Sequence, residues 1–273
     1  MGEQTLPKNF KLVVQYDGAN YHGWQLQPDV PTIQGVLEDA VERIVAKKVR
    51  AHASGRTDTG VHALAQVVHF KAETDISPEQ LKSRLNEILP GDIRVLSADE
   101  MPLSFHSRYD AVAKVYRYTI LNCRIEGRFK AESAYVLSPK LDVGKMQKAA
   151  SYLVGTHDFS SFGVNPGRPV DNPTRTIKRA DVTQEGHYIF IEVEADGFLY
   201  KMVRSIIGTL VNVGLGKIEP EEVPAILKSR DRCRAGATVP AHGLCLVEVK
   251  YAAGKPQAAG ETLRASPSHG STT

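Results

Sequence analysis

Cysteine is scarce in this chain of 273 residues: Cys123, Cys233 and Cys245 lie far apart, with no CxxC pair among them. That leaves no even disulfide framework and fits a reducing cytosol, so a cytoplasmic setting is expected. Long apolar runs are missing as well. None approaches the roughly 18 residues that a bilayer span requires, and the opening MGEQTLPKNFKLVVQYDG has no apolar core of the signal-peptide kind. No membrane association is expected. Charge of one sign is also in short supply. A formal net charge of +3 permits a nucleic-acid partner without demanding one, since local clusters matter more than the total. What is present, 42% apolar and 24% charged residues, is ordinary for a globular chain and enough to bury the core of one large or two small domains.

Two ready-made kinds of site are absent too. His52, Asp58, His62 and His69 are near one another in sequence but follow no recognised ligand spacing, so no metal is expected. Gly214-Leu215-Gly216-Lys217 is followed by Ile218, not Ser or Thr, so it is no phosphate-binding loop. Its glycines read instead as the end of a helix.

The apolar periodicity divides the chain into elements. A strand at Lys11–Tyr16 runs into DGANYHGWQLQPDVP, a loop of Gly, Pro, Asn and aromatics that reads as shaped for a purpose. Ile33, Val36, Leu37, Ala40, Val41, Ile44 and Val45 then repeat at helical spacing behind Thr32 as N-cap. A polar turn precedes a strand at Gln66–Phe70. Ser77-Pro78-Glu79-Gln80 reads as a capping box opening a helix with Leu81, Leu85, Ile88 and Leu89. Further strands are expected at Ile93–Ala98 and Ala111–Leu121, the latter with Lys114, Tyr116, Tyr118 and Ile120 on one face. A charged excursion, Leu121–Ala134, separates it from renewed pairing at Tyr135–Leu137. Then come a helix from Asp142 to Gly155, a Pro- and Gly-rich loop, and strands Thr176–Val182 and Tyr188–Ala195. A helix Tyr200–Val213 stopped by Gly214, a short helix near Glu221–Ser229 and a strand Leu244–Tyr251 complete the order. Without regular β-α-β alternation, the class is α+β with mainly antiparallel sheets. The two halves have similar content, and the residues after Ala253 read as a disordered tail.

The strongest local signal is Gly55-Arg56-Thr57-Asp58-Thr59-Gly60-Val61-His62-Ala63. Glycines bracket an Asp with an Arg beside it, and Gly permits the tight geometry that presents a carboxylate. A neighbouring guanidinium favours the ionised form. Two readings stand here: an Asx-turn with a surface Arg, or a nucleophilic or general-base carboxylate of the kind that attacks sugar anomeric carbons. Local pattern favours plain roles elsewhere, with Arg204 on the polar side of an amphipathic helix and Tyr116 as a core aromatic. The basic groups Lys114/Arg117 and Arg175/Lys178/Arg179 could track a phosphate backbone.

The chain resembles the TruA-type tRNA pseudouridine synthases. The resemblance runs from about Phe10 to Tyr251 and rests on motifs in the family's order. These are Tyr16-Asp17-Gly18 with Gly23-Trp24-Gln25, Gln34-Gly35, Gly55–Ala63 with Gln66 and His69-Phe70, and Phe105-His106-Ser107-Arg108. Tyr116-Arg117-Tyr118, Gly155-Thr156-His157-Asp158-Phe159, Gly197-Phe198-Leu199-Tyr200 with Met202-Val203-Arg204, Gly208-Thr209-Leu210 and Gly243-Leu244 follow. Cys245 departs from the pattern, standing where a tyrosine is common. The loop Gly163–Pro173 is poorly matched. Neither departure falls on the residues of the chemistry that follows.

The resemblance implies two related α+β halves, residues 1–106 and 107–252, around a basic cleft, with a tail at 253–273. It implies an isomerase that converts uridine to pseudouridine at positions 38, 39 and 40 of the tRNA anticodon stem-loop, acting as a homodimer. Asp58 would be the catalytic aspartate, Tyr116 the ring packed against the target uracil, Arg204 the basic partner of the carboxylate, and Arg56 the arginine that helps extrude the nucleotide. The atoms balance without redox change, so no cofactor is expected. Asp58 and Arg204 should then lie within about 4 Å, the reach of a close ion pair, with Tyr116 on the same cavity. The competing expectations are a synthase aimed at other RNA positions, an inert RNA-binding module and a metal-dependent hydrolase.

Overall fold

Alternation of buried side chains builds the sheet. In β1 (Pro7–Tyr16), Phe10, Leu12, Val14 and Tyr16 enter the main core, while Val13 joins a smaller cluster with Val67, Met101, Phe105 and Tyr251. One face of the strand therefore meets the helices and the other meets that second cluster. The computed structural model describes residues 6–123, 133–164 and 172–252. The tail, the middle of the charged excursion with Arg124, Arg128 and Lys130, and most of the Pro- and Gly-rich loop with Arg168 lie outside the described residues.

Helix starts follow the capping residues. Thr32 accepts from the Gly35 amide at 3.2 Å and opens α1 (Ile33–Val45). Ser77 and Gln80 form the capping box of α2 (Pro78–Ile88), with Pro at the first turn, and Asp142 caps α3 (Val143–Ser151). Helix α4 (Met202–Gly214) begins two residues later than its pattern indicates, because Lys201 is left-handed at φ 58°. The helix ends at Gly214 as expected, though Gly214 is its last residue, and the left-handed turn follows at Gly216, φ 70°. A Cβ on Gly214 would lie 2.7 Å from the Met146 sulphur, so this glycine lets α3 and α4 approach each other. A 3-10 turn at Pro220–Glu222 leads into α5 (Val223–Ser229).

Among the described residues ten strands form one sheet, α+β and mainly antiparallel as expected. Its order is β4 (Ile93–Met101), β1, β3 (His62–Glu73), β10 (Leu244–Tyr251), β5 (Ala111–Leu121), β9 (Tyr188–Ala195), β8 (Thr174–Glu185), β7 (Gly155–Asp158). Short β2 (His52–Ala53) and β6 (Tyr135–Val136) pair with β3 and β5. β2 and β7, of two and four residues, carry too little alternation to be read from sequence, whereas β6, also of two residues, forms where pairing is expected at Tyr135–Leu137. β3 extends beyond Gln66–Phe70 because its whole length pairs with β1, from Pro7 opposite Glu73 to Tyr16 opposite Ala63. The last strand decides the architecture. β10 runs antiparallel to β5 and touches β3 in parallel at Cys245–His62 and Leu246–Ala63. It thereby joins the first three long strands to the later ones, and residues from both ends of the chain meet above it.

Candidate active site

The loop between β2 and β3 is held from below by a buried network. Ser54 donates to Gln66 Oε1 at 2.8 Å, and Gln66 Nε2 donates to the Gly55 carbonyl at 2.9 Å. The Thr57 and Tyr16 hydroxyls share a hydrogen bond of 2.9 Å. Burial pushes the Tyr16 phenol up to about 12, against the pull of its Thr57 and Gln66 contacts, so it stays a neutral strut. The Val61 amide donates to the Asp58 carbonyl at 3.1 Å, and Gly60 at φ 76° completes the turn.

The aromatic loop after β1 clamps this turn. The Trp24 amide donates to the Thr57 carbonyl at 3.0 Å. A Cβ on Gly23 would sit 2.5 Å from that carbonyl oxygen, and one on Gly18 would sit 2.0 Å from the Val61 oxygen. Backbone meets backbone at both positions, which only glycine allows. The shaped loop therefore buttresses the carboxylate's turn.

Arg204 reaches Asp58 from the other half of the chain. Its Nη1 donates to Asp58 Oδ2 at 2.9 Å, and its Nε donates to the Val239 carbonyl at 2.8 Å. The pair is partly shielded, the side chains being 14% and 21% exposed, so salt screens it less than a surface pair. Glycines again permit the approach: a Cβ on Gly208 would lie 1.8 Å from the Ala237 oxygen, so α4 rests directly on residues 236–239.

Tyr116, in β5, is buried and edge-on to Phe198, with ring centroids 5.2 Å apart. Burial raises its phenol well above the ordinary value, with Tyr16 and Asp58 nearby adding to the effect. It is thus a core aromatic and a cleft wall at once. Arg56 is exposed. All four residues line one cleft of about 1380 Å³.

That cleft is basic. Arg50, Arg56, Arg108, Lys114, Arg175, Lys201 and Arg204 line it, against the two acids Asp58 and Asp196. Burial lowers the Lys114 pKa, Arg108 and Arg175 push the same way, and Asp196 opposes them. The basic groups read by proximity are split by the fold. Lys114 faces the cleft, whereas Arg117 sits on the opposite face of β5 and pairs with Glu192 at 2.6 Å. Arg175 lines the cleft, but Lys178 donates to the Val112 carbonyl and Arg179 pairs with Asp181 and Glu192. Strand alternation separates 114 from 117, and a register shift between Ile177 and Arg179 breaks the other group.

Of the histidines near Asp58, His62 lies 3.0 Å from Asp17 and 3.1 Å from the His242 carbonyl, while His52 stacks on His69. Among the described residues no three His, Cys, Asp or Glu side chains converge as metal ligands. Cys245 lies closer to the chemistry than its sequence position indicates, beside Tyr16 and Tyr116. Burial pushes its thiol up to about 12, so it packs as an inert apolar group.

A family model described as tRNA pseudouridine synthase matches residues 12–110 and 149–252. The chain belongs to the tRNA pseudouridine synthase family. Within it, the chain is 46% identical to the tRNA pseudouridine synthase A of Thermoanaerobacter sp. (strain X514) over 244 residues, 89% of this chain and 100% of that protein. It is 45% identical to that of Acetivibrio thermocellus over the same shares, and 46% identical to that of Moorella thermoacetica over 88% of this chain and 98% of the relative. Among solved structures, a Cbf5-Nop10-Gar1 complex is similar over 86% of this chain and 57% of that chain. Its identity of 12% and TM-score of 0.34 are too low to bear on the topology. In this tRNA pseudouridine synthase, Arg56, Asp58 and Arg204 fall inside the family segments. Tyr116 falls between them, so its place in the cleft rests on the geometry of β5.

Proposed function

We propose that this family member converts uridine to pseudouridine at positions 38, 39 and 40 of the tRNA anticodon stem-loop, with Asp58 as the catalytic carboxylate. The observation that carries the reading is the Asp58–Arg204 pair, 2.9 Å apart and set in a cleft rich in Lys and Arg. The reaction breaks the C1′–N1 bond of the nucleoside, turns the uracil and forms C1′–C5. One proton leaves C5 and one arrives at N1, so nothing is oxidised or reduced and the chemistry needs no cofactor. Asp58 serves either by attacking C1′ or by taking the 2′ proton. Arg204, fixed by the Val239 carbonyl, orients the carboxylate, and a preset geometry of this kind lowers the entropic part of the barrier. Tyr116 forms the wall against which the detached uracil turns.

The scissile bond lies within a stacked stem, so the nucleotide must be extruded at a cost of a few kcal/mol. Arg56, exposed at the cleft, helps to extrude it, and the cationic lining offsets the cost through phosphate contacts. We further assign the halves 1–106 and 107–252, a homodimer and a cytoplasmic setting. No helix among the described residues is long and apolar enough to cross a membrane.

The test is to incubate unmodified tRNA with the protein in EDTA and map pseudouridine. Product at 38, 39 and 40 is expected from the native protein. Asp58→Ala should lower turnover by several orders of magnitude while still binding tRNA. A tenth of native activity in that variant would sink the assignment of Asp58, and product confined to other positions would overturn the assigned sites.

A further inference from the structure

The cleft continues past Asp58 to a ladder of rings that the reaction above does not use. It is built on the turn after β4. His106 Nδ1 accepts from the amides of Arg108 at 3.2 Å and Tyr109 at 3.4 Å, which leaves the ring proton on Nε2. The His106 amide donates to the Asp110 carboxylate at 2.9 Å, and the Asp110 amide donates back to the His106 carbonyl at 3.0 Å. The imidazole is therefore held in place by its own turn. Around it, Tyr109 lies at 4.2 Å between ring centroids, His69 at 4.5 Å and His52 at 5.6 Å. Burial first, then His106 and His52, hold His69 down at about 4, and burial lowers His106 as well. Those two rings are neutral at pH 7 and pack against each other, tilted by 59°, without repelling.

The ladder ends in open space. Tyr109 is 76% exposed, although a fixed ring backs it. The Arg108 guanidinium lies 5.8 Å from its centroid, and Arg108, Tyr109, His106 and His52 all line the same cleft as Asp58. An exposed π-face among cations is what a single-stranded nucleobase stacks on. Extruding a uridine also creates the need for one, because a neighbouring base then loses a stacking partner.

We infer that Tyr109, backed by His106, is a stacking ledge for an unpaired base next to the extruded uridine, with Arg108 meeting that nucleotide's phosphate. The inference rests on the reading of the cleft as the RNA site. Stacking of one base on an aromatic ring is worth about 1–3 kcal/mol, which corresponds to roughly 5- to 150-fold in affinity.

The experiment measures binding of an anticodon stem-loop RNA to the native protein, Tyr109→Ala and Tyr109→Phe, with 2-aminopurine replacing each base beside the target in turn. Tyr109→Ala should weaken binding at least 5-fold and abolish quenching at one flanking position. Tyr109→Phe should stay within 2-fold, and the salt slope should be unchanged because no charge is removed. Native-like affinity in Tyr109→Ala, or equal losses in both variants, would overturn the ledge. The exposed ring can be truncated without opening a core. Pseudouridine mapping with the native protein separates the two ideas: a failed ledge leaves the product intact, whereas a failed assignment of Asp58 leaves the affinity ratios intact.

Discussion

Arg204 divides its guanidinium between two fixed partners, the Asp58 carboxylate and the Val239 carbonyl. A lysine reaches one of them at best, since it lacks the planar fork. Arg204→Ala should therefore slow single-turnover pseudouridine formation about 100-fold or more, the usual cost of losing one preset charged donor. Arg204→Lys should recover part of that rate and not all of it. Rates measured at saturating tRNA decide the matter, and an alanine variant within 3-fold of native would return Arg204 to an ordinary helix-face role. Arg56 differs in kind. It lies two residues from Asp58 in sequence, yet among the described residues the cation paired with the carboxylate comes from 146 residues away.

At the scale of elements, the site depends on how closely α4 lies on residues 236–239. Gly208→Ala drives a methyl into the Ala237 carbonyl, 1.8 Å from its ideal position. The helix must move, and Arg204 moves with it. Overpacking of this kind costs about 1–3 kcal/mol, so chemical denaturation should show that loss together with a large fall in activity. Gly91→Ala, where nothing lies within 4 Å of the new methyl, should leave both unchanged. A second elemental device is the contact of β3 with the turn after β4. The Ser107 amide donates to His69 Nδ1 at 3.1 Å, which requires the neutral ring. The folded value of about 4 lies below the ordinary 6.5, so the unfolded chain takes up the proton first. The stability from His69 is complete above pH 6.5 and is lost as pH falls toward 4. Thermal unfolding across that window should show a steeper decline in the native protein than in His69→Asn, whose amide oxygen keeps the acceptor and removes the titration.

For the molecule as a whole, the cleft's cations should make tRNA affinity fall linearly in log-log plots against salt. A flat plot would exclude a phosphate-tracking interface. The fold makes a sharper forecast within one stretch of sequence. Arg175→Glu should weaken binding and flatten the slope, because Arg175 lines the cleft. Arg179→Glu should leave affinity within about 2-fold, the usual result for a charge away from the contact, because Arg179 is already paired with Asp181 and Glu192. Equal effects from the two reversals would mean that the RNA follows another path across the surface.

Helix and strand identities were readable because they depend on local spacing. The Thr32, Ser77 and Asp142 caps and the alternation of Ala111–Leu121 each act over a few residues, and each element began where its pattern lay, although α3 stops at Ser151, short of the expected Gly155. Asp58 was visible because its glycine-framed turn is contiguous. Which charges meet was not readable from pattern. Lys114 and Arg117 are near in sequence and face opposite ways, while Asp58 and Arg204 are far apart and touch. The resemblance supplied that pair in advance; the spacing of residues could not. Its physical cause is the insertion of β10 between β3 and β5, which closes one sheet and brings α4 over the turn after β2. Local propensity sets the pieces, but a contact across 146 residues exists only after long-range strand pairing has spent the entropy of closing the chain.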